Sequence, residues 1–316
     1  MWTRRKFLGG TVAMATFSGA ACAQQPGHEE TSQVPDVEPQ TSAKLSRPIP
    51  KTGEQLPIVG LGTWQAFDIA PGGGDWDDAT RAVDLFLRSG GRLIDSSPMY
   101  GRAEAAIGAI IAEGADLPKP FLATKVWTSG RDQGRAQIEE SFRALRAPVI
   151  DLLQVHNLLD FETHLATLQD LKRSGRIRYI GATHYHSGAY AELERVLRGG
   201  DLDFVQLNYS VAEREAEARL LPLARDKQVA VIVNRPFAGG EIFSSIRRKP
   251  LPDWASELGC SSWAQLLLKY VLADTSVTCA IPGTRNPRHV LDNLGAATAP
   301  LPDSSMRRQI LEAALG

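Results

Sequence analysis

Four polar side chains near the ends of different apolar segments could together protonate a substrate oxygen. Asp95 ends a short apolar run and Tyr100 follows in a turn, while Lys125 lies in PFLATKVW and His156 in PVIDLLQVHN. A free tyrosine titrates near pH ~10, an adjacent ammonium lowers that pKa, and a carboxylate keeps a buried lysine charged. We therefore expect Asp95 to hold Lys125 charged and Lys125 to make Tyr100 more acidic. His156 would donate a hydrogen bond to the substrate oxygen.

Segments of two kinds alternate from Leu56 onward and predict the fold that carries these groups. Continuous apolar runs, typical of parallel strands covered on both faces, lie at 57–64, 92–97, 120–127, 148–157, 177–185, 203–210, 229–237 and 277–284. Helical patterns lie at 75–91, 104–114, 135–145, 161–175, 188–200, 215–228, 261–274 and 286–297. Eight strand-helix units over roughly 260 residues predict an α/β fold, the (β/α)8 TIM barrel. Residues 46–57, with a Lys-Thr-Gly turn, predict a β-hairpin that closes the barrel floor.

The rival architecture is a doubly wound dinucleotide-binding fold. That fold requires a G-x-G-x-x-G sequence that opens a helix after the first strand. Residues 60–65 read GLGTWQ, which lacks the third glycine and leads into a loop. The sequence therefore favours the barrel.

A TIM barrel gathers the carboxyl ends of its strands at one face, where active sites lie. Each catalytic candidate also has an ordinary structural explanation. Asp95 could cap a turn, Tyr100 could be a core aromatic residue, Lys125 could extend along the rim, and His156 could be a satisfied half-buried imidazole. These four explanations would have to coincide at the same end of the barrel, and the coincidence favours a functional site. Such a site needs a hydride source, because side chains supply none.

The N-terminal segment has the pattern of an export signal. Arg4 and Arg5 precede a short apolar run that ends in an A-x-A sequence at 21–23, which resembles a twin-arginine signal. We expect residues 1–23 to be that signal, 24–44 to be a disordered polar linker, and 45–316 to be the barrel domain. The protein would then reach the periplasm with no stable membrane span, because the apolar run is too short to cross a bilayer. Lipid attachment through Cys22 is the alternative maturation.

Charge and cysteine content exclude several kinds of partner. The formal net charge is −1, which gives no electrostatic reason to expect a nucleic-acid partner. Cys22, Cys260 and Cys279 have no metal-ligand spacing. We therefore expect a monomer that acts on a small molecule and holds no metal.

A family resemblance covers residues 45–298. GLGTW, the D-x4-YG pattern at 95–101, ATKVW, DLLQVHN, IRYIGATH, VQLNYS and IPGTRNPRHVLDN have the order and spacing of the aldo-keto reductases. The resemblance implies an NADP-dependent oxidoreductase that transfers a hydride from NADPH, or from NADH in its place, to an aldehyde or ketone. It also implies that Asp95, Tyr100, Lys125 and His156 are the catalytic residues, with Tyr100 as the proton donor.

The resemblance further implies which residues contact cofactor and substrate. Gln206 matches the contact to the nicotinamide amide, and 285–293 falls where the family holds the 2′-phosphate and adenine. The implied cofactor residues are Thr63, Trp64, Asp95, Thr183, His184, Gln206, Asn234, Arg235, Phe237, Gly239, Gly240, Gly283, Thr284, Arg285, His289, Asp292 and Asn293. The implied substrate pocket comprises Trp64, Phe67, Met99 and Trp127.

Three departures from the family pattern concern the cofactor. Thr183-His184 replaces the usual Ser-Asn, and Asn234 replaces the aromatic residue that stacks on the nicotinamide. Gly283-Thr284 replaces Lys-Ser, so a preference for NADPH rests on Arg285 and His289.

The long C-terminal loop of many members is missing or reduced to 299–316, which predicts an open pocket for small or varied carbonyl compounds.

Two other functions remain open at this point. A metal-dependent barrel hydrolase could use His156, His184 and His186, since His184 and His186 would face the same way in an extended strand. That function leaves Tyr100 and Lys125 unexplained. A non-catalytic barrel that only binds a partner is the second alternative, because fold alone does not fix function.

Overall fold

A computed structural model describes residues 38–39, 43–114 and 116–316. The predicted signal at 1–23 lies outside the described residues. Of the predicted linker at 24–44, only residues 38–39 and 43–44 are described. The two N-terminal boundaries therefore stay predictions.

Strands and helices alternate through the described residues as the sequence predicts. The strands are β1 Ser46–Pro48, β2 Gln55–Pro57, β3 Leu61–Gly62, β4 Leu93–Asp95, β5 Phe121–Val126, β6 Ile150–His156, β7 Ile177–Thr183, β8 Phe204–Asn208, β9 Ala230–Asn234 and β10 Val277–Ala280. The helices are α1 Gly74–Arg88, α2 Ala103–Glu113, α3 Arg131–Ala144, α4 Phe161–Arg173, α5 Tyr190–Gly199, α6 Leu220–Asp226, α7 Ile242–Ile246, α8 Trp263–Leu272, α9 Pro287–Gly295 and α10 Ser304–Leu315.

The parallel sheet runs in chain order from β3 to β10 and closes on itself. Among the described residues it has eight strands, and each consecutive pair is parallel. Parallel bridges join Val59 to Ala280 and Gly62 to Gly283, which connect the first strand region to the last. A Cβ atom on Gly62 would lie 2.9 Å from the backbone oxygen of Ile281, so this closure requires glycine. The predicted (β/α)8 barrel is confirmed.

The predicted hairpin is also present. β1 and β2 pair antiparallel, with Ser46 opposite Pro57. Ile49 and Leu56 are fully buried and join the cluster formed by the inward side chains of the strands. The hairpin therefore contributes apolar side chains to the barrel interior.

The barrel interior changes from apolar to polar along the strands. Side chains alternate between two faces of a strand, so every second residue points inward. On β5 the inward series is Phe121, Ala123 and then Lys125, and on β8 it is Phe204 and then Gln206. The side chains between these inward positions point outward, as on β8 and β9, and belong to the cluster that packs against the helices. Polar inward side chains therefore collect at the carboxyl ends.

Two segments differ from their predicted extents. The predicted helix 215–228 is divided into a 3-10 turn at Glu215–Ala218 and α6 at Leu220–Asp226. Pro222 explains the late start, because proline fits the first turn of a helix and disrupts its interior. The C-terminal segment 299–316 is helical over α10, which Asp303 caps by accepting hydrogen bonds from the backbone of Ser305 and Met306. No helix of the described segments is long and apolar enough to cross a membrane.

Candidate active site

Lys125 and Tyr100 lie together, with Asp95 and His156 beside them. Lys125 Nζ donates to Asp95 Oδ2 at 2.6 Å and to the backbone oxygen of Ser96 at 2.7 Å. The same nitrogen lies 4.8 Å from the centre of the Tyr100 ring. The rings of Tyr100 and His156 meet edge to face, with centroids 5.9 Å apart. These contacts place a cation, a phenol and an imidazole around one small region at the carboxyl ends of β4, β5 and β6.

Lys125 is held as an ammonium despite full burial. The exposed fractions of the Lys125 and Asp95 side chains are 0% and 3%. Burial lowers the pKa of Lys125, but the Asp95 carboxylate and the Tyr100 oxygen raise it by more than burial lowers it. The net pKa is therefore above its ordinary value. The expectation that Asp95 keeps Lys125 charged agrees with this direction.

Tyr100 differs from its expected acidity. Burial raises the pKa of the phenol, Lys125 lowers it through charge and a hydrogen bond, and Asp95 raises it, with a net increase above the ordinary value. Lys125 lowers the pKa of Tyr100 as expected, but desolvation exceeds the effect of the ammonium, so the expected net fall in that pKa is not found. The phenol keeps its proton at neutral pH. Lys125 then acts mainly by stabilising the phenolate that forms when the proton leaves.

His156 is a neutral imidazole in this site. Burial, the Lys125 ammonium and His184 together lower the pKa of His156 to about 2. Its Nδ1 lies 3.1 Å from Ser97 Oγ, and its ring centroid lies 6.4 Å from that of Trp127. His156 can therefore take part in hydrogen bonds without adding charge beside Lys125.

Both oxygens of Asp95 are used. Oδ2 accepts the bond from Lys125, and Oδ1 accepts from Gln154 Nε2 at 3.0 Å and from Gln206 Nε2 at 2.9 Å. Sequence reasoning did not single out Gln154. The signal was a polar residue within the apolar run LLQV, two positions before His156, a spacing that places both side chains on the inward face.

Gln206 connects Asp95 to the predicted carboxamide site. Its Oε1 accepts from Thr183 Oγ1 at 3.2 Å and from Asn234 Nδ2 at 3.3 Å. Asn234 Nδ2 also donates to the backbone oxygen of His184 at 3.0 Å. One hydrogen-bonded group therefore contains four of the predicted cofactor residues, namely Thr183, His184, Gln206 and Asn234.

Large aromatic and apolar side chains lie exposed after the strands that carry the site. Exposed fractions are 50% for Trp64, 39% for Met99 and 40% for Trp127. Phe67, also predicted for the pocket, is fully buried in the cluster that packs between strands and helices. Tyr185 is half exposed and stacks on His184, with ring centroids 5.4 Å apart, and sequence reasoning did not name it for the pocket.

A second group of predicted cofactor residues surrounds the start of α9. Arg285 Nη2 donates to Asp75 Oδ1 at 2.7 Å and Nη1 donates to the Ala66 oxygen at 3.4 Å. Arg285 and Thr284 line a surface depression together with Ala66, Asp78 and Asn286.

His289 and Asp292 lie on α9 itself. Asn286 Oδ1 accepts from the backbone nitrogens of Arg288 and His289, which caps the helix and leaves the His289 side chain exposed. Asp292 accepts from Ser262 Oγ and Gln265 Nε2, both at 2.8 Å, and so joins α8 to α9. These bonds give Asp292 a structural role, and Asn293 beside it is buried.

The remaining predicted cofactor residues lie in the loops after β3, β9 and β10. Thr63 Oγ1 donates to the Asp95 backbone oxygen at 3.0 Å and lies 3.0 Å from Ser96 Oγ, so its hydroxyl is engaged inside the protein. Arg235 Nε lies 3.6 Å from Glu213 Oε2. Gly239 and Gly240 are exposed and have positive φ angles, and Phe237 packs on Phe243. Gly283, after β10, is exposed and forms the bridge to Gly62.

The metal-site alternative has no support from the described residues. No group of three or more histidine, cysteine or acidic side chains within the described ranges could hold an ion. His184 and His186 do meet, with ring centroids 4.4 Å apart. Among the described residues His156 does not form a group of three with them, and its ring lies beside Tyr100 and Trp127 instead.

Comparisons with known proteins find relatives in sequence and in fold. The E. coli NADH-specific methylglyoxal reductase is 26% identical over 330 residues, covering 84% of this chain and 98% of that protein. The Bacillus subtilis aldo-keto reductase YhdN is 30% identical over 200 residues, covering 58% of this chain and 60% of that protein. A Klebsiella pneumoniae aldo-keto reductase solved with NADPH aligns with a TM-score of 0.68 at 24% identity, covering 85% and 94% of the two chains.

A second solved structure gives the same fold. The holo form of aldo-keto reductase AKR11C1 from Bacillus halodurans aligns with a TM-score of 0.69 at 22% identity, covering 86% of this chain and 96% of that one. A sequence model described as the aldo/keto reductase family matches residues 58–310. The chain therefore belongs to the aldo/keto reductase family.

Proposed function

We propose that this protein reduces an aldehyde or a ketone to an alcohol, using NADPH as the hydride donor and Tyr100 as the proton donor. The observation that carries the proposal is the position of the Lys125 ammonium, 2.6 Å from the Asp95 carboxylate and 4.8 Å from the centre of the Tyr100 ring. A protonated phenol beside a buried cation is an acid whose conjugate base is stabilised in place.

The residues around Gln206 fit a nicotinamide carboxamide. Asn234 Oδ1 is buried and has no hydrogen-bond partner among the described residues. A buried acceptor without a donor costs about 1–3 kcal/mol, so a ligand N–H group at this point would stabilise the site. A carboxamide offers such N–H groups. When bound, the nicotinamide would supply the hydride that side chains cannot provide.

The side chains of the site divide the remaining work. Neutral His156 and Tyr100 hold the carbonyl oxygen by hydrogen bonds. A bound nicotinamide would supply the hydride to the carbonyl carbon, and the O–H bond of Tyr100 would break as its proton joins the carbonyl oxygen to give the alcohol. Lys125 stabilises the resulting phenolate, and Asp95 keeps Lys125 in position. A proton from solvent must then restore Tyr100.

The choice of NADPH rests on Arg285 and His289. A guanidinium pairs well with a phosphomonoester, and Arg285 lines the depression before α9. His289 is exposed on the first turn of α9. The Klebsiella pneumoniae relative was solved with NADPH, whereas the E. coli relative is named as NADH-specific. NADH therefore remains the alternative donor, and Asp75 beside Arg285 reduces the local positive charge.

The direct test is nucleotide consumption with purified protein. The protein is mixed with NADPH or NADH and a panel of aldehydes and ketones, and the loss of reduced nucleotide is followed by absorbance. We expect turnover with at least one class of carbonyl and tighter binding of NADPH than of NADH. Failure to bind either nucleotide would contradict the proposal and favour a non-catalytic binding role.

We also propose that the folded protein is exported to the periplasm as a monomer. Arg4, Arg5 and the short apolar run that follows support a twin-arginine signal. Export after folding would let the protein carry its nucleotide with it. Cell fractionation should find the intact chain in the periplasm and the Arg4→Lys, Arg5→Lys double variant in the cytoplasm. Recovery of both chains in the cytoplasm would contradict export, and periplasmic protein without nucleotide would contradict cofactor carriage.

A further inference from the structure

Ser97 is a fully buried hydroxyl placed against the catalytic imidazole. Its side chain has no exposed surface, and its Oγ lies 3.1 Å from His156 Nδ1. The residue follows β4 within the segment that leads to Tyr100. A single short segment therefore carries the proton donor and a group that contacts His156.

The direction of the hydrogen bond follows from the partners of Ser97 Oγ. A serine hydroxyl has one proton to donate and lone pairs to accept with. The backbone nitrogen of Met99 donates to this oxygen at 3.4 Å, which occupies a lone pair. Within the described part of the chain, His156 Nδ1 is the one partner able to accept the Ser97 proton. A buried hydroxyl proton without an acceptor is costly, so Ser97 donates and Nδ1 accepts.

A neutral imidazole that accepts at Nδ1 carries its proton on Nε2. His156 Nε2 makes no hydrogen bond to any described residue and is absent from the fully buried unpartnered atoms, so it lies at the accessible edge of the ring. That edge belongs to a ring placed between Tyr100 and Trp127. An N–H group there can donate to a substrate oxygen, whereas a bare nitrogen would repel it.

We propose that Ser97 is a positioning residue that holds His156 in the tautomer with the proton on Nε2 and so makes His156 a hydrogen-bond donor to the carbonyl oxygen. This inference rests on the proposed carbonyl reduction. Ser97 touches neither substrate nor cofactor in this role and acts through His156. In carbonyl reduction the carbonyl oxygen would then receive two hydrogen bonds before the proton moves, one from Tyr100 and one from His156.

The test reads the tautomer directly and needs no turnover. Protein labelled with 15N at histidine is studied by NMR near neutral pH, and the His156 signals are assigned by their loss in His156→Gln. The two ring nitrogens of a neutral imidazole resonate far apart, so the spectrum reports which nitrogen carries the proton. We expect wild type to carry it on Nε2, with Nδ1 shifted as a hydrogen-bonded acceptor. A wild-type proton on Nδ1 would overturn the proposal.

Two serine variants complete the experiment. Ser97→Ala should move the Nδ1 resonance toward the value of an unbonded nitrogen. The matched control is Ser96→Ala, which removes a neighbouring buried hydroxyl that bonds Thr63, and it should leave the His156 signals unchanged. An unchanged Nδ1 resonance in Ser97→Ala would contradict the assigned bond.

Measurements of turnover distinguish a failure of the Ser97 positioning role from a failure of the proposed carbonyl reduction. We expect Ser97→Ala to lower kcat by about three- to tenfold, the effect of one buried hydrogen bond, with little change in the dissociation constant of NADPH. Equal kcat in wild type and Ser97→Ala would overturn the positioning role and leave carbonyl reduction standing. Absence of any turnover in wild type would instead overturn the reaction, while the tautomer would still be measured by NMR.

Discussion

Lys125 Nζ lies 2.6 Å from Asp95 Oδ2 inside a barrel where both side chains are almost fully buried. A buried ion pair is weak evidence for stability, because desolvation of the two charges can cancel their attraction. This pair is also joined to Tyr100 and to two glutamines. Its position beside Tyr100 indicates that the buried ion pair serves the chemistry of the site rather than the stability of the fold.

The first prediction concerns removal of the cation. Lys125→Met leaves the Asp95 carboxylate buried without its partner, so the free energy of unfolding should fall by about 3–5 kcal/mol. Turnover should also fall, because the Tyr100 phenolate loses its stabilising charge. Denaturant unfolding and NADPH consumption measure the two effects.

A double variant separates stability from chemistry in this experiment. Lys125→Met with Asp95→Leu removes both charges and should recover part of the lost stability, while turnover stays low. Recovery of turnover together with stability would contradict a role for the ammonium in proton transfer.

The second prediction concerns pH. The pKa of His156 is lowered to about 2, so this residue is neutral from mildly acidic conditions upward. His156 should therefore add no step to the pH profile of kcat near the ordinary pKa of a histidine. The pKa of Tyr100 is raised, so the phenol keeps the proton that reduction needs until the solution is strongly alkaline. We expect kcat for reduction to be flat across the neutral range and to fall only on the alkaline side. A limb between about pH 6 and 8, where an unperturbed histidine titrates, would contradict this assignment.

The third prediction concerns the choice of nucleotide. Arg285→Ala should weaken NADPH binding by about tenfold and change NADH binding little, because the guanidinium is expected to contact the phosphate that distinguishes them. Asp75→Asn removes the carboxylate that holds Arg285 at 2.7 Å and should tighten NADPH binding by up to about fivefold, as expected for an exposed pair.

Fluorescence titration with each nucleotide provides this measurement. Asp77→Asn is the matched control, since Asp77 lies in the same first turn of α1 as Asp75 but has no described contact to Arg285. If Arg285→Ala and Asp75→Asn both bound the two nucleotides as wild type does, the assignment of this region to the phosphate would be wrong.

The periodic patterns of the sequence predicted the barrel and the position of the site. Alternation of strand and helix segments indicated the eight units, and the positions of Lys125 and His156 near the carboxyl ends of their strands placed them at the same face. Pro222 shortened one predicted helix, a local effect that a helical pattern alone does not locate. The helical end of the chain was not predicted, although Asp303 as an N-cap and the four-residue spacing of Met306, Ile310 and Ala314 are signals of a helix.

The finer features of the site depend on tertiary packing. Gln154 and Ser97 were missed because their roles come from contacts across strands, to Asp95 and to His156. Lys125 lowers the pKa of Tyr100 as expected, but the net pKa is raised, because composition does not say how strongly burial competes with a neighbouring charge. Phe67 was predicted to line the pocket but is a buried core residue. The sequence shows the residue type and not the exposure of the side chain.

The most direct measurement is the turnover of Tyr100→Phe, which removes one oxygen and its proton and keeps the ring. General acids of this kind contribute about 10²–10⁴-fold, so we expect kcat for carbonyl reduction to fall by that factor. The dissociation constant of NADPH should stay close to the wild-type value. Turnover of Tyr100→Phe equal to that of wild type would contradict the account, because the proton would then come from another group.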